Sequence, residues 1–144
     1  MVDLHDEIAG KLRGVGQRYT TNRRVIIDVL EAATHPLTIQ EILDRRTTLA
    51  QSSAYRNLAV LEETGVVHRV VSSDEFARYE LAEDLTEHHH HHLICRSCGA
   101  VADFTVAPEV ELVLAGALEQ AAGDHGFSAE DHRLDLVGRC RRCR

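Results

Sequence analysis

The sequence predicts an α+β chain in two halves: a helical N-terminal half closed by a β-hairpin, then a small α/β unit of strands and one long helix. Three observations carry this expectation. Apolar residues recur at three- and four-residue spacing through the first sixty or so positions, which marks amphipathic helices. Two β-rich runs follow, joined by a polar turn. Beyond them, two Cys-x-x-Cys pairs bracket a segment of alternating strand and helix patterns.

In order along the chain, Leu4, Ile8, Leu12 and Val15 share one face of a first helix over residues 4–15. A second helix runs from about Asn22 to Ala33 with Val25, Ile26, Val29 and Leu30 inward. His35-Pro36 ends it, because the residue before proline is pushed out of helical geometry. Thr38 and Glu41 form a capping box for a third helix reaching about Arg46. Ser52 is placed to cap a fourth, with Leu58 and Leu61 facing the core and Gly65 as its stop. Val66–Val71 and Ala77–Leu81 then read as a hairpin turning through Ser72-Ser73-Asp74-Glu75. Helices followed by a hairpin suggest a winged helix, in which the helix before the wing enters the DNA major groove.

The second half begins near Asp84. His91–Cys95 and Ala100–Phe104 are expected strands, and Pro108 opens a long helix with Val110, Val113, Leu114 and Leu118 on its apolar side. Alternation over His132–Val137 marks a last strand before Gly138. So small a core makes pairing of two copies through the sheet edge an expectation.

The only four cysteines stand as Cys95-x-x-Cys98 and Cys140-x-x-Cys143, a set matching the soft tetrahedral ligands that zinc prefers. The 41 residues between the pairs exceed the roughly 15 to 20 of a simple zinc ribbon, so a subdomain lies inside the loop. Two disulfides are the rival reading. Met1-Val2-Asp3-Leu4-His5-Asp6 lacks the basic start and apolar core of a secretory signal, so a reducing, cytoplasmic setting is expected, where such pairs hold metal. No stretch approaches the ~20 apolar residues of a membrane span. His88 to His92 form an internal run that a terminal tag does not explain. Extended, it places His90 and His92 on one face and His89 and His91 on the other, so one strand can feed two metal sites.

A formal charge of −7 argues against an overall basic nucleic-acid binder, but phosphate attraction is local. Residues 11–24 hold five basic side chains and no acidic one. On the winged-helix reading, Ser52, Ser53, Tyr55, Arg56 and Asn57 form the exposed start of the reading helix, with Arg56 suited to guanine and Tyr55 to a thymine methyl or a phosphate.

Gln17-Arg18-Tyr19-Thr20-Thr21-Asn22-Arg23, Ser53-Ala54-Tyr55-Arg56-Asn57-Leu58 and the run HHHHHLICRSCG with its later CRRC closely resemble the ferric uptake regulator (Fur) family of metal-responsive transcription factors, over nearly the whole chain. The resemblance implies a winged-helix DNA-binding domain over 1–83 and a dimerisation domain over 84–144, with Cys95, Cys98, Cys140 and Cys143 on structural zinc. It implies a regulatory site between them at His35, Glu80, His90 and His92, and an additional site at His89, His91, Glu111 and His132. The implied partners are a second copy of the chain and a palindromic double-stranded operator. Lys11, Arg18, Arg23 and Arg24 are expected on backbone phosphate or in the minor groove. The sensed ion is expected to be iron(II) ahead of zinc, with manganese(II) third, since no cysteine stands in Leu81-Ala82-Glu83-Asp84; His68, where some zinc-sensing relatives place a carboxylate, reads as a solvent-facing histidine. A zinc-dependent hydrolase is the reading from another class. It lacks a His-Glu-x-x-His helix and a base beside an open zinc position, and the chain is not expected to be an enzyme. A metal buffer without DNA function leaves the reading helix and the basic segment unexplained.

Overall fold

The computed structural model describes residues 2–144. Helix α1 spans Leu4–Gly14, and its N-cap Asp3 accepts from the backbone of His5 and Asp6. Helix α2 spans Thr21–Ala32 behind the cap Thr20 and turns Ile26, Ile27, Val29 and Leu30 inward. The expected capping box forms: Thr38 and Glu41 exchange side-chain-to-backbone hydrogen bonds at the start of α3, Ile39–Arg45. Just ahead of it lies a two-residue strand, β1, Leu37–Thr38, too short to leave a periodic signature in the sequence.

Helix α4 spans Gln51–Glu63, and here the expected cap is corrected. Its N-cap is Ala50, with no side-chain hydrogen bond, and Ser52 lies inside the first turn. Gly65, at φ +76°, stops the helix in a left-handed conformation that a Cβ would disfavour. The hairpin strands are β2, Val67–Val71, and β3, Ala77–Leu81, in an antiparallel sheet of order β1-β3-β2. Val67 opposes Leu81 and His68 opposes Glu80. Ile8, Leu12, Ile26, Ile27, Leu37, Ile42, Leu58 and Leu61 are fully buried between the helices and this sheet. A short helix α5, Glu83–Thr86, follows, and its Leu85 packs back into the same core.

The second sheet has the order β5-β4-β6, with β4 at His91–Cys95, β5 at Val101–Phe104 and β6 at Asp135–Gly138. β5 runs antiparallel to β4 across the tight Ser97-Cys98-Gly99 turn. β6 runs parallel to it, which requires a long crossover, supplied by α6, Pro108–Asp124. The last strand begins at Asp135, later than its alternation predicts, and His132 sits in the loop before it.

One expectation about α6 needs correction for the single chain. None of its residues is buried; Val110 and Val113 are 52% and 73% exposed. The buried apolar cluster of this half is small: Ile94 and Val101 meet Val70 of the wing strand β2.

Candidate metal centres and DNA-facing surface

The two cysteine turns converge because β4 ends at Cys95 and the parallel β6 delivers the chain to Cys140. Cys98 Sγ lies 3.8 Å from Cys140 Sγ, and the backbone N–H groups of Cys98 and Cys140 donate to Cys95 Sγ at 3.5 and 3.4 Å. A tetrahedral zinc with bonds near 2.3 Å holds its sulfurs about 3.8 Å apart, so the spacing fits the ion. The backbone donors from Cys140 and Cys98 bring the Cys95 thiol down to about 6, whereas hydrogen bonding with Cys140 pushes Cys143 up to about 12. Four crowded thiols cannot all ionise alone, and a divalent cation removes that conflict.

At the other end of β4 the alternation works as expected. His90 and His92 point to the side where β3 presents Glu80. His90 Nε2 is 2.9 Å from Glu80 Oε2 and His92 Nε2 is 2.9 Å from Glu80 Oε1. The His92 nitrogen is buried and not aligned for a hydrogen bond. Asp103 of β5 closes the group, opposite His92 in the register and 3.6 Å from its Nε2. Burial pushes the Glu80 carboxyl up, but His92 and His90 outweigh it and hold it below the usual range. Burial and the charge of Glu80 push Asp103 above its usual value. Two carboxylates and two imidazoles on one point make a donor set suited to iron(II), manganese(II) or zinc.

Asp103 is the residue that sequence reasoning missed. It joins through strand register, which sets it opposite His92 on the same face and which periodicity alone does not give. His35 is not among the donors that converge within 4.8 Å. It lines a cavity shared with Glu80, His90 and Asp103, and its Nδ1 donates to Pro36 O at 2.9 Å, which leaves Nε2 as the free lone pair. His68 of the wing stands 3.1 Å from Arg133 and joins no ligand group.

On the opposite face of β4 all four expected residues meet. His91 Nε2 and His132 Nε2 each lie 2.8 Å from the Glu111 carboxylate, and His89 Nε2 lies 3.0 Å from it and 3.1 Å from His132 Nε2. Tetrahedral ligands with bonds near 2.0 Å stand about 3.3 Å apart, so these separations approach those of a filled site. Hydrogen bonds from His91 chiefly hold Glu111 below the usual carboxylate range. Glu83, 2.8 Å from His89 Nδ1, orients that ring and raises its pKa against the opposing effect of burial.

The DNA-facing expectations divide. Ser52, Tyr55 and Arg56 are exposed on α4, Tyr55 at 55%. Ser53 is corrected: it is buried and accepts from Asn22 at 3.0 Å and from Asn57 at 3.0 Å. Asn57 in turn accepts from Arg23 at 2.9 Å, and Arg23 also donates to Arg18 O at 2.6 Å and Gln17 at 3.2 Å. These three residues form a strut between α2 and α4 rather than a free surface. Arg18 and Arg24 are exposed, Arg24 stacking on Tyr19 at 4.9 Å, and Lys11 pairs with Asp84 of α5.

Residues 14–137 match the profile of the ferric uptake regulator family. The ferric uptake regulation protein of Rhizobium leguminosarum bv. viciae is 35% identical over 127 residues, 85% of this chain and 84% of that protein. The peroxide-responsive repressor PerR of Staphylococcus saprophyticus is 32% identical over 145 residues, 97% of this chain and 90% of that one. The structure of the Helicobacter pylori ferric uptake regulator Fur, described as revealing three functional metal binding sites, superposes with a TM-score of 0.73 at 25% identity, over 99% of this chain and 97% of that chain. Similar solved structures are described with iron, with zinc and with manganese. The chain therefore belongs to the ferric uptake regulator family of metal-responsive transcription regulators.

Proposed function

We propose that this chain is a metal-dependent transcriptional repressor, not an enzyme, in which a divalent ion closes the winged helix of residues 1–83 onto the dimerisation half of residues 84–144. The observation that carries the reading is the cluster of Glu80 from the wing with His90, just ahead of β4, and with His92 and Asp103 of the second sheet. A ligand favours a closed state only through tighter binding to it, and ligands drawn from both halves supply that difference. His35 completes the site when its free Nε2 turns inward. Cys95, Cys98, Cys140 and Cys143 hold the structural zinc, and His89, His91, Glu111 and His132 hold a further ion.

The regulatory donors are oxygen and imidazole without sulfur, which suits iron(II) ahead of zinc, with manganese(II) third. Zinc sensing is the alternative within the same mechanism. A response to peroxide is a second reading, supported by likeness to the peroxide-responsive repressor over 97% of the chain.

The functional unit is a homodimer acting in the cytoplasm. Leu93, Leu136 and Val137 of the second sheet and Val110, Leu112 and Val113 of α6 are 41% to 75% exposed. So much apolar surface on a unit with so small a core supports burial against a second copy. Two α4 helices then face successive major grooves of a palindromic operator, with Tyr55 and Arg56 at the bases and Arg18 and Arg24 at phosphates. The test is operator binding by chelator-stripped dimer, its four-cysteine zinc retained, titrated in parallel with iron(II), zinc and manganese(II), and with peroxide added to the iron arm. Restoration by one ion at the lowest free concentration names the signal; binding that no metal alters refutes the reading.

A further inference from the structure

The four-cysteine knuckle carries more positive charge than its metal accounts for. Five of the chain's 16 basic residues, Arg96, Arg139, Arg141, Arg142 and Arg144, stand on its two turns. All five are exposed, and among the described residues none makes an ion pair or a side-chain hydrogen bond. Guanidinium groups stay charged at every physiological pH. Zinc in four thiolates leaves a net charge of roughly −2, which two arginines neutralise; the remaining charge faces solvent. On a chain of net charge −7, this is a local basic field, and the Asp74 carboxylate that lies over Gly99 is already held by Arg78.

Its position gives the field a use. The wing tip docks on the knuckle: Ser72 Oγ donates to Gly99 O and Ser73 Oγ donates to Cys95 O, both at 2.7 Å. Asp74, held by Arg78 at 2.8 and 2.9 Å, closes over Gly99. A Cβ on Gly99 would lie 2.3 Å from the Asp74 carboxylate, in a turn at φ +76° that already favours glycine. Val70 of the wing packs on Ile94 and Val101 beneath. The wing flanks the reading helix α4: Glu75 and Phe76 of its tip line one cavity with Gln51 and Tyr55 at the start of that helix.

We propose that the arginine-bearing knuckle is a second DNA-contacting surface, gripping backbone phosphates outside the bases read by α4. This rests on the DNA-binding reading above. Phosphate contacts carry no sequence information but set register and affinity, and each shows in the salt dependence.

The test binds the full-length, zinc-loaded, metal-activated dimer to a long duplex of arbitrary sequence across a salt series. Each lost phosphate contact lowers the slope of log affinity against log salt by about 0.9. R139Q/R141Q/R142Q/R144Q is expected to lower it by about 2 to 3 and to weaken low-salt binding by roughly tenfold or more, with zinc content unchanged by mass spectrometry. Should that variant lose zinc, R96Q/R144Q, which leaves the residues between Cys140 and Cys143 intact, is expected to lower the slope by about 1 to 2. A zinc-retaining variant that matches wild type in slope and affinity overturns the proposal and leaves DNA binding standing. A wild-type dimer that binds no duplex overturns the underlying reading as well.

Discussion

Arg56 and Asn57 are neighbours on α4 with opposite duties. Arg56 is exposed and touches nothing that holds the fold, so R56A is expected to keep the melting temperature while operator affinity drops by about 1 to 3 kcal/mol. Asn57 bridges Ser53 and Arg23, so N57A strands buried polar groups and is expected to cost about 1 to 3 kcal/mol of stability in a denaturant titration. The reverse pattern would mean that Asn57 reads a base and Arg56 supports the helix. Protonation gives a second residue-level expectation. The folded pKa of His92 is raised above 6.5, so its contribution is full below 6.5 and fades as pH rises through the raised value. Glu80 is lowered from 4.5, so its contribution is present above 4.5 and fades as pH falls through the lower value. Metal-free protein should therefore be most stable between roughly pH 4.5 and 6.5 and lose stability toward pH 8. Added metal reverses the trend, because it needs the imidazoles deprotonated. Melting curves across pH, with and without ion, check both signs; a metal-induced rise that shrinks with increasing pH would contradict them.

Among the elements, α6 carries the sharpest expectation. It opens at Pro108 as the sequence predicts, yet its apolar face meets no core within one chain. Its pattern announces burial without saying against what, because a helix buried by a second copy and one buried by its own sheet have the same periodicity. L112K or V113E should shift sedimentation from dimer to monomer while leaving the N-terminal core intact; a variant that remains a dimer would move the interface elsewhere. Helices α1 and α2 were legible from periodicity, except that Val15, expected on the buried face, lies past the end of α1 and is 61% exposed; α3 was legible from its Thr38 and Glu41 capping box. The start of α4 was not, since Ser52 offers a cap that the chain does not use and the actual N-cap, Ala50, makes no side-chain hydrogen bond. The two faces of β4 were legible from alternation alone, down to which histidines share a side. Asp103 was not, because it joins the cluster through strand register, and pairing is a tertiary fact. Nor could the sequence show that the side chain of Ser53 turns inward to Asn22.

For the whole molecule, the two halves meet at both ends of β4. At one end Glu80 of the wing meets His90 and His92; at the other the wing tip seats on the cysteine turn. The four-cysteine zinc and the inter-domain ion should then separate experimentally. C98S is expected to lose one zinc per chain and much thermal stability, read by mass spectrometry and calorimetry, whereas H90A/H92A should keep that zinc and the fold. A metal that moves a population from mostly open to mostly closed must bind the closed form ~10⁴-fold more tightly, which only ligands from both halves can provide. The most direct test is the affinity of wild type and H90A/H92A for an operator selected from random duplex by the metal-loaded dimer, measured with and without iron(II) and with the cysteine zinc retained. The predicted result is a large metal-dependent gain in wild type and none in the variant; an equal gain in both, or none in wild type, would contradict an inter-domain metal switch.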